Sequence, residues 1–196
     1  VYGNEEDEVN GVVDFYYNPS KALTASFDFG GHYSPLGIFQ EYQNTEYQLN
    51  HFDAKKLESL KDLCNEFADT YIDHKYKTLH VYGDPRGHDA GLHGKSAYQF
   101  IINYLNARGW NVNICVTNHV SDSHQTRYLN MNNMLEESDD NLPRLRMHKT
   151  RCKDAIIAMQ LTDSKDDFQK DKRTEKDKEY PQEHAAHNTD IIDYLF

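Results

Sequence analysis

The sequence predicts an α/β domain with a mixed β-sheet and helices on both faces. Three features carry that expectation. Three β-patterned runs follow one another from residue 22 with short connections between them. Helical and strand patterns then alternate to the end of the chain, and two of the apolar runs stop at acids. With 196 residues the chain is long enough to bury one good core.

The elements follow in order. Residues 1–10 are acidic and polar, and residues 1–20 read as a linker or N-terminal extension before a domain spanning 21–196. Runs at 22–29, 36–42 and 46–52, joined at Gly30-Gly31 and Gln43-Asn44, predict consecutive antiparallel strands. Asp53 is expected to cap a helix reaching Ile72, with apolar residues at Leu57, Leu60, Cys64, Phe67 and Ala68. A strand at 78–83 ends at Asp84. Ser96 caps a helix through Ala107 that Arg108-Gly109 closes. Residues 112–116 form a buried strand, 121–137 a polar helix, 145–148 a short strand and 152–162 an amphipathic helix. The stretch 163–183 is almost all charge and reads as a loop or flexible hairpin, and the last helix begins at Ala185 or Ala186.

A net charge of -11 argues against a protein that grips DNA by charge alone. Acidic metal sites concentrate negative charge, however, and a bound cation reverses the local field. Cys64, Cys115 and Cys152 are odd in number and widely spaced, so neither a disulfide framework nor a zinc knuckle follows; reduced thiols in a cytosolic protein are expected. No run is apolar enough to span a membrane and no signal peptide opens the chain. The chain starts at Val1 rather than Met and reads as a piece of a longer protein.

Three aspartates carry the chemistry. Asp28 interrupts the apolar run Ala25-Ser26-Phe27-Asp28-Phe29-Gly30-Gly31, Asp84 ends Leu79-His80-Val81-Tyr82-Gly83-Asp84-Pro85, and Asp190 lies in the last helix. A carboxylate within a β-run is costly to bury unless it is paired or binds a metal. Together the three suit divalent ions held by oxygen ligands. Phosphodiester cleavage uses two such ions about 4 Å apart, one activating the water and one stabilising the leaving oxygen. Gly30, Gly31, Gly83 and Gly87 are expected to leave room for a phosphate. His187, Asp190 and Tyr194 share a helical face, with Ile191 and Leu195 as anchors. The structural alternatives are a bulge acid at Asp28, a turn initiator at Asp84 and a solvated acid at Asp190. Asp193 competes with Asp190 but lies further round the helix, which suits a salt-bridge partner.

The run Asp89-Ala90-Gly91-Leu92-His93-Gly94-Lys95-Ser96 ends as a phosphate-binding P-loop does, but it opens on Asp89 where glycine is required. Lys95 and Ser96 fit a helix cap better, with Lys95 near a phosphate backbone. Arg144, Arg146, Lys149, Arg151 and Lys153 form one basic group, and Lys170, Lys172, Arg173, Lys176 and Lys178 a second, interleaved with acids. Either group contacts DNA phosphates or is a solvated charged surface. The candidates for DNA contact are Arg86, Lys95, Arg144, Arg146, Lys172 and Arg173.

Phe27-Asp28-Phe29-Gly30, then Gly83-Asp84-Pro85-Arg86-Gly87, then Asp171-Lys172-Arg173-Thr174-Glu175-Lys176 with Pro181-Gln182-Glu183, and finally His187-Asn188-Thr189-Asp190 stand in a distinctive order. In that order the chain resembles the C-terminal nuclease domain of the large terminase subunit of tailed bacteriophages, from about Ala22 to Phe196. The resemblance implies a ribonuclease H-like fold and an endonuclease that cuts concatemeric viral DNA with Mg²⁺ or Mn²⁺. It implies Asp28, Asp84 and Asp190 as metal ligands, with His187 orienting a ligand or shuttling a proton. It further implies double-stranded DNA, the portal protein and the small terminase subunit as partners, a separate N-terminal ATPase domain, and action in the cytoplasm of the infected bacterial host. The rival expectations are another ribonuclease H-like nuclease, such as a junction resolvase or hybrid nuclease, and a non-catalytic DNA-docking module.

Overall fold

The computed structural model describes residues 2–3, 16–30, 33–55, 59–89, 96–116, 123–177 and 179–196. Its strands are β1 (Tyr2–Gly3), β2 (Leu23–Phe27), β3 (Ser34–Glu41), β4 (Thr45–Ala54), β5 (Thr78–Gly83), β6 (Asn111–Ile114) and β7 (Arg144–His148). Its helices are α1 (Ser59–Thr70), α2 (Ala97–Asn106), α3 (His124–Glu136), α4 (Lys153–Leu161), α5 (Arg173–Lys176) and α6 (His187–Asp193). The strands make one sheet in the order β1-β7-β4-β3-β2-β5-β6. β3 is antiparallel to β2 and β4, and every other pairing is parallel. The mixed sheet expected from the alternating patterns is therefore present.

Short connections set the antiparallel part. Gln43 and Asn44 both take positive φ, and Tyr42 and Thr45 exchange backbone hydrogen bonds of 2.9 and 3.0 Å across them. That is the two-residue hairpin whose twist matches its strands. Alternation along the strands then separates two cores. Leu23, Ala25 and Phe27 of β2, Leu36 and Ile38 of β3, and Leu79 and Val81 of β5 pack with Leu63 and Phe67 of α1 and Ile101 and Leu105 of α2. Phe39, Leu145 and Met147 pack with Met134 of α3, Ile156 of α4, and Ile191 and Ile192 of α6. A Cβ at Gly37 would lie 2.5 Å from the Phe39 ring and 2.9 Å from Ile191 Cδ1. Only glycine lets α6 lie this close to β3.

One expected boundary is wrong. Asp53 does not cap a helix: β4 continues to Ala54, with Asp53 opposite Pro35 and Ala54 opposite Ser34. Cross-strand pairing overrides the local capping signal, and the helix is described only from Ser59. The charged stretch contains an isolated bridge between Ser164 and Lys170 and the short α5. The final helix starts at His187. Among the described residues no helix is long and apolar enough to cross a membrane.

Candidate active site

Asp28 and Asp84 each follow the last paired residue of two adjacent parallel strands. Phe27 is the register partner of Gly83, and the Asp84 N–H donates to Phe27 O at 3.3 Å. The two acids thus leave neighbouring strand ends, where backbones run about 4.8 Å apart. Asp84 also starts a 3₁₀ turn, Pro85–His88: its Oδ1 accepts from the Arg86 N–H at 2.8 Å. The turn-initiator and site readings of Asp84 are therefore compatible. Its Oδ2 accepts from Arg86 Nε at 2.8 Å and Nη2 at 2.5 Å, and Tyr98 Oη donates to its backbone carbonyl at 2.9 Å.

Asp190 arrives from α6, fully within the fold. Lys170 Nζ donates to its Oδ1 at 3.0 Å and Lys172 Nζ to its Oδ2 at 2.5 Å. Burial pushes this carboxyl up, but the two ammonium groups outweigh it and hold Asp190 below the usual carboxylate range. Lys170 also reaches Asp193 Oδ2 at 2.7 Å, so Asp193 is a salt-bridge partner of the same lysine. Glu175 of α5 stands 3.4 Å from Lys172 and is raised chiefly by burial.

Asp28 is the exception among the three. It is only 9% exposed, and among the described residues no hydrogen bond or ion pair reaches its carboxylate. Burial, and then the Asp190 charge, push it up to about 7, with Glu175 and Asp84 adding to the effect and Lys172 opposing it. The Tyr194 hydroxyl is raised by burial and then by the charges of Asp28, Asp190 and Asp84.

His187 is turned elsewhere. Its ring stacks on Tyr33 at 4.4 Å, its Nε2 contacts Gln182 O at 2.8 Å, and burial lowers its pKa. Asn188 beside it donates to the Gln182, Glu183 and Ala185 carbonyls, and Tyr33 Oη donates to Asn188 Oδ1 at 3.2 Å. These bonds tie the start of α6 to the turn before it.

The other candidates divide by place. Arg86 and Lys172 lie on the acids. Arg173 pairs with Asp171. Arg144 and Arg146 pair with Glu137 at 3.3 and 2.7 Å on β7, whose first residue lies at the opposite end of the sheet from Asp28. Lys95 and most of the P-loop-like run lie outside the described residues, while Ser96 Oγ accepts from the Gln99 N–H and caps α2. Gly30 and Gly87 are positions where a side chain would clash with the fold itself. A Cβ at Gly30 would meet Tyr33 O at 1.9 Å, and one at Gly87 would meet the Phe29 and Tyr98 rings at 2.4 and 2.6 Å; Gly31 lies outside the described residues.

Sequence reasoning missed Lys170 as a bridge between Asp190 and Asp193, and Tyr98 as the support of Asp84. A lysine in a run of alternating charge, and one tyrosine among 14, give no local signal. Among the described residues no three His, Cys, Asp or Glu side chains form a ready-made metal cage. The donor set is nevertheless the kind a hard divalent ion takes: carboxylate oxygens from adjacent strand ends and α6, with Asp28 buried and outside any ion pair among the described residues. Such an ion would replace Arg86 and Lys172 on Asp84 and Asp190.

No protein-family model and no curated protein matches the sequence. Solved structures do match. The large terminase from the thermophilic bacteriophage D6E is 15% identical, with a TM-score of 0.53 over 93% of this chain and 39% of that one. The P22 large terminase nuclease domain is 12% identical, with a TM-score of 0.53 over 92% of this chain and 81% of that one. The fold is that of the large terminase nuclease domains. It is the ribonuclease H-like α/β fold expected above, and the chain spans about 40% of the length of the D6E protein.

Proposed function

We propose that this chain is the nuclease domain of a DNA-packaging terminase, a metal-dependent endonuclease that cuts concatemeric double-stranded DNA. The observation that carries the reading is Asp28: a buried carboxylate in no ion pair among the described residues, within the field of Asp84 and Asp190, at the carboxyl end of a central strand of a terminase-type fold. Burying an uncompensated carboxylate is costly, so such a group is retained where a cation completes it. Asp28, Asp84 and Asp190 would hold Mg²⁺ or Mn²⁺, two ions in this reading. Bound there, the ions supply Lewis acidity and a nucleophilic water at neutral pH.

The chain's own residues supply position. Tyr98 and the Arg86 N–H hold Asp84 in place, and the packing of Ile191 against Gly37 holds Asp190. Arg86 and Lys172, which lie on Asp84 and Asp190, would be placed to neutralise the charge of a phosphate bound there. His187 we assign to positioning α6, because its Nε2 is engaged by Gln182 O. Cutting sites are selected by the rest of the packaging machine, through an ATPase domain, the small terminase subunit and the portal protein, in the cytoplasm of the infected host.

Incubation with supercoiled plasmid tests the reading. Wild type is expected to nick in Mn²⁺ and not in EDTA, with Asp28→Asn and Asp84→Asn inactive but folded. A fully active Asp28→Asn variant refutes the metal assignment. Failure of the wild type in any divalent ion, with DNA binding retained, puts the docking-module reading ahead. Preference for branched or RNA–DNA hybrid substrates over linear duplex favours a resolvase or hybrid nuclease.

A further inference from the structure

A cavity of about 520 Å³ opens beside Asp190 and Asp193, within the range of small-molecule ligand pockets. Asp190, Tyr194 and Lys172 line one part of it, and Tyr128 of α3 and Phe168 line another. The two aromatic rings lie 5.5 Å apart between centroids and stay 36% and 38% exposed. Neither ring therefore belongs to either core.

Phe168 is held there against its backbone preference. It takes φ of +63°, the left-handed region, in a tight turn closed by hydrogen bonds from Phe168 N–H to Lys165 O and from Lys165 N–H to Gln169 O. A bulky side chain in that conformation costs conformational energy. Such strain without compensating burial is a mark of functional placement. The thioether side chains of Met131 and Met159 line the same cavity. Arg127 also lines it, and its buried Nε has no hydrogen-bond acceptor among the described residues.

Exposed aromatic faces and two lysines, in one cavity with Asp190, describe the chemistry of a nucleobase on a sugar phosphate. Every base has a π-face for such stacking, whatever the sequence. We infer that this cavity receives an unstacked nucleobase of the DNA strand being cut, stacked on the exposed faces of the Tyr128–Phe168 pair while its phosphate lies toward Asp190. The inference rests on the nuclease reading and adds to it a substrate class: DNA that is locally single-stranded or frayed at the cut.

Calorimetric titration in Mg²⁺ tests it, with dAMP against deoxyribose 5-phosphate and with a tailed DNA hairpin against a blunt one. The wild type is expected to bind dAMP roughly 5- to 150-fold more tightly than the sugar phosphate, the range of base–aromatic stacking. Tyr128→Ala and Phe168→Ala should each remove most of that gain and leave sugar-phosphate binding unchanged. The tailed hairpin should gain over the blunt one in the same way. Both rings are at the surface, so an unchanged urea midpoint checks that the variants fold. Equal binding of dAMP and sugar phosphate, a gain that survives both substitutions, or equal binding of tailed and blunt DNA each overturns the inference. Plasmid nicking by the wild type alongside such a result leaves the nuclease reading standing. Base-dependent binding without nicking sinks the nuclease reading instead.

Discussion

Replacing Asp28 with Asn is expected to stabilise the metal-free protein above neutral pH. Asp28 is 9% exposed, and burial followed by the Asp190 charge raises its carboxyl from 3.8 to about 7. In the unfolded chain the same group ionises at its ordinary value. Below the unfolded value both states hold the proton and nothing is lost. As pH rises toward the folded value the unfolded chain ionises first, so stability falls through that window and levels off above it. Three units at about 1.36 kcal/mol each give a loss of about 4 kcal/mol at pH 8. Asn carries no charge and avoids it. The stability gap between variant and wild type should grow by about 2 kcal/mol between pH 5.5 and pH 8. Urea denaturation followed by far-ultraviolet circular dichroism, in EDTA at those two pH values, measures the gap. Mn²⁺ at pH 8 should raise the wild-type midpoint and move the variant far less. A gap that is constant with pH, or a variant less stable than wild type at pH 8, refutes the picture of an uncompensated buried acid.

Two further substitutions probe the supports of the site. Gly37→Val places a side chain where even a Cβ would meet Phe39 and Ile191 at 2.5 and 2.9 Å. Overpacking of that kind costs about 1–3 kcal/mol; urea denaturation should show it, and Mn²⁺ affinity should fall because Asp190 rides on the displaced helix. Lys170→Met removes the cation shared by Asp190 and Asp193, both largely buried. Breaking a buried pair this way costs roughly 3 kcal/mol, and added Mn²⁺ should restore part of it in a thermal melt.

Local pattern in the sequence located most of the elements. The hairpin at Gln43-Asn44, the Ser96 cap and the strand ending at Asp84 all depend on residues within a few positions of one another, and all appear where expected. The helix cap at Asp53 failed because its competitor was distant: β3 pairs with β4 as far as Ala54, and a ladder of hydrogen bonds outweighs one capping bond. Placement of the basic residues was also hidden. Nothing near Arg144 or Lys170 in the chain says that β7 starts at the far end of the sheet while the Ser164–Lys170 hairpin folds onto the acids.

The sequence by itself singled out the candidate acids: two at the ends of apolar strands and one in a terminal helix, because a carboxylate in such a context needs a reason to be there. The tertiary structure decided what each acid touches. The parallel pairing of β2 with β5 sets Asp28 beside Asp84, and a glycine in β3 lets α6 close enough to bring Asp190 to them. Arg86, Lys170 and Lys172 then pair with two of the three and leave Asp28 outside any ion pair among the described residues. Residues 28, 84 and 190 are too far apart in the chain for any local rule to join them; strand register and side-chain packing do so, and these exist only in the folded molecule.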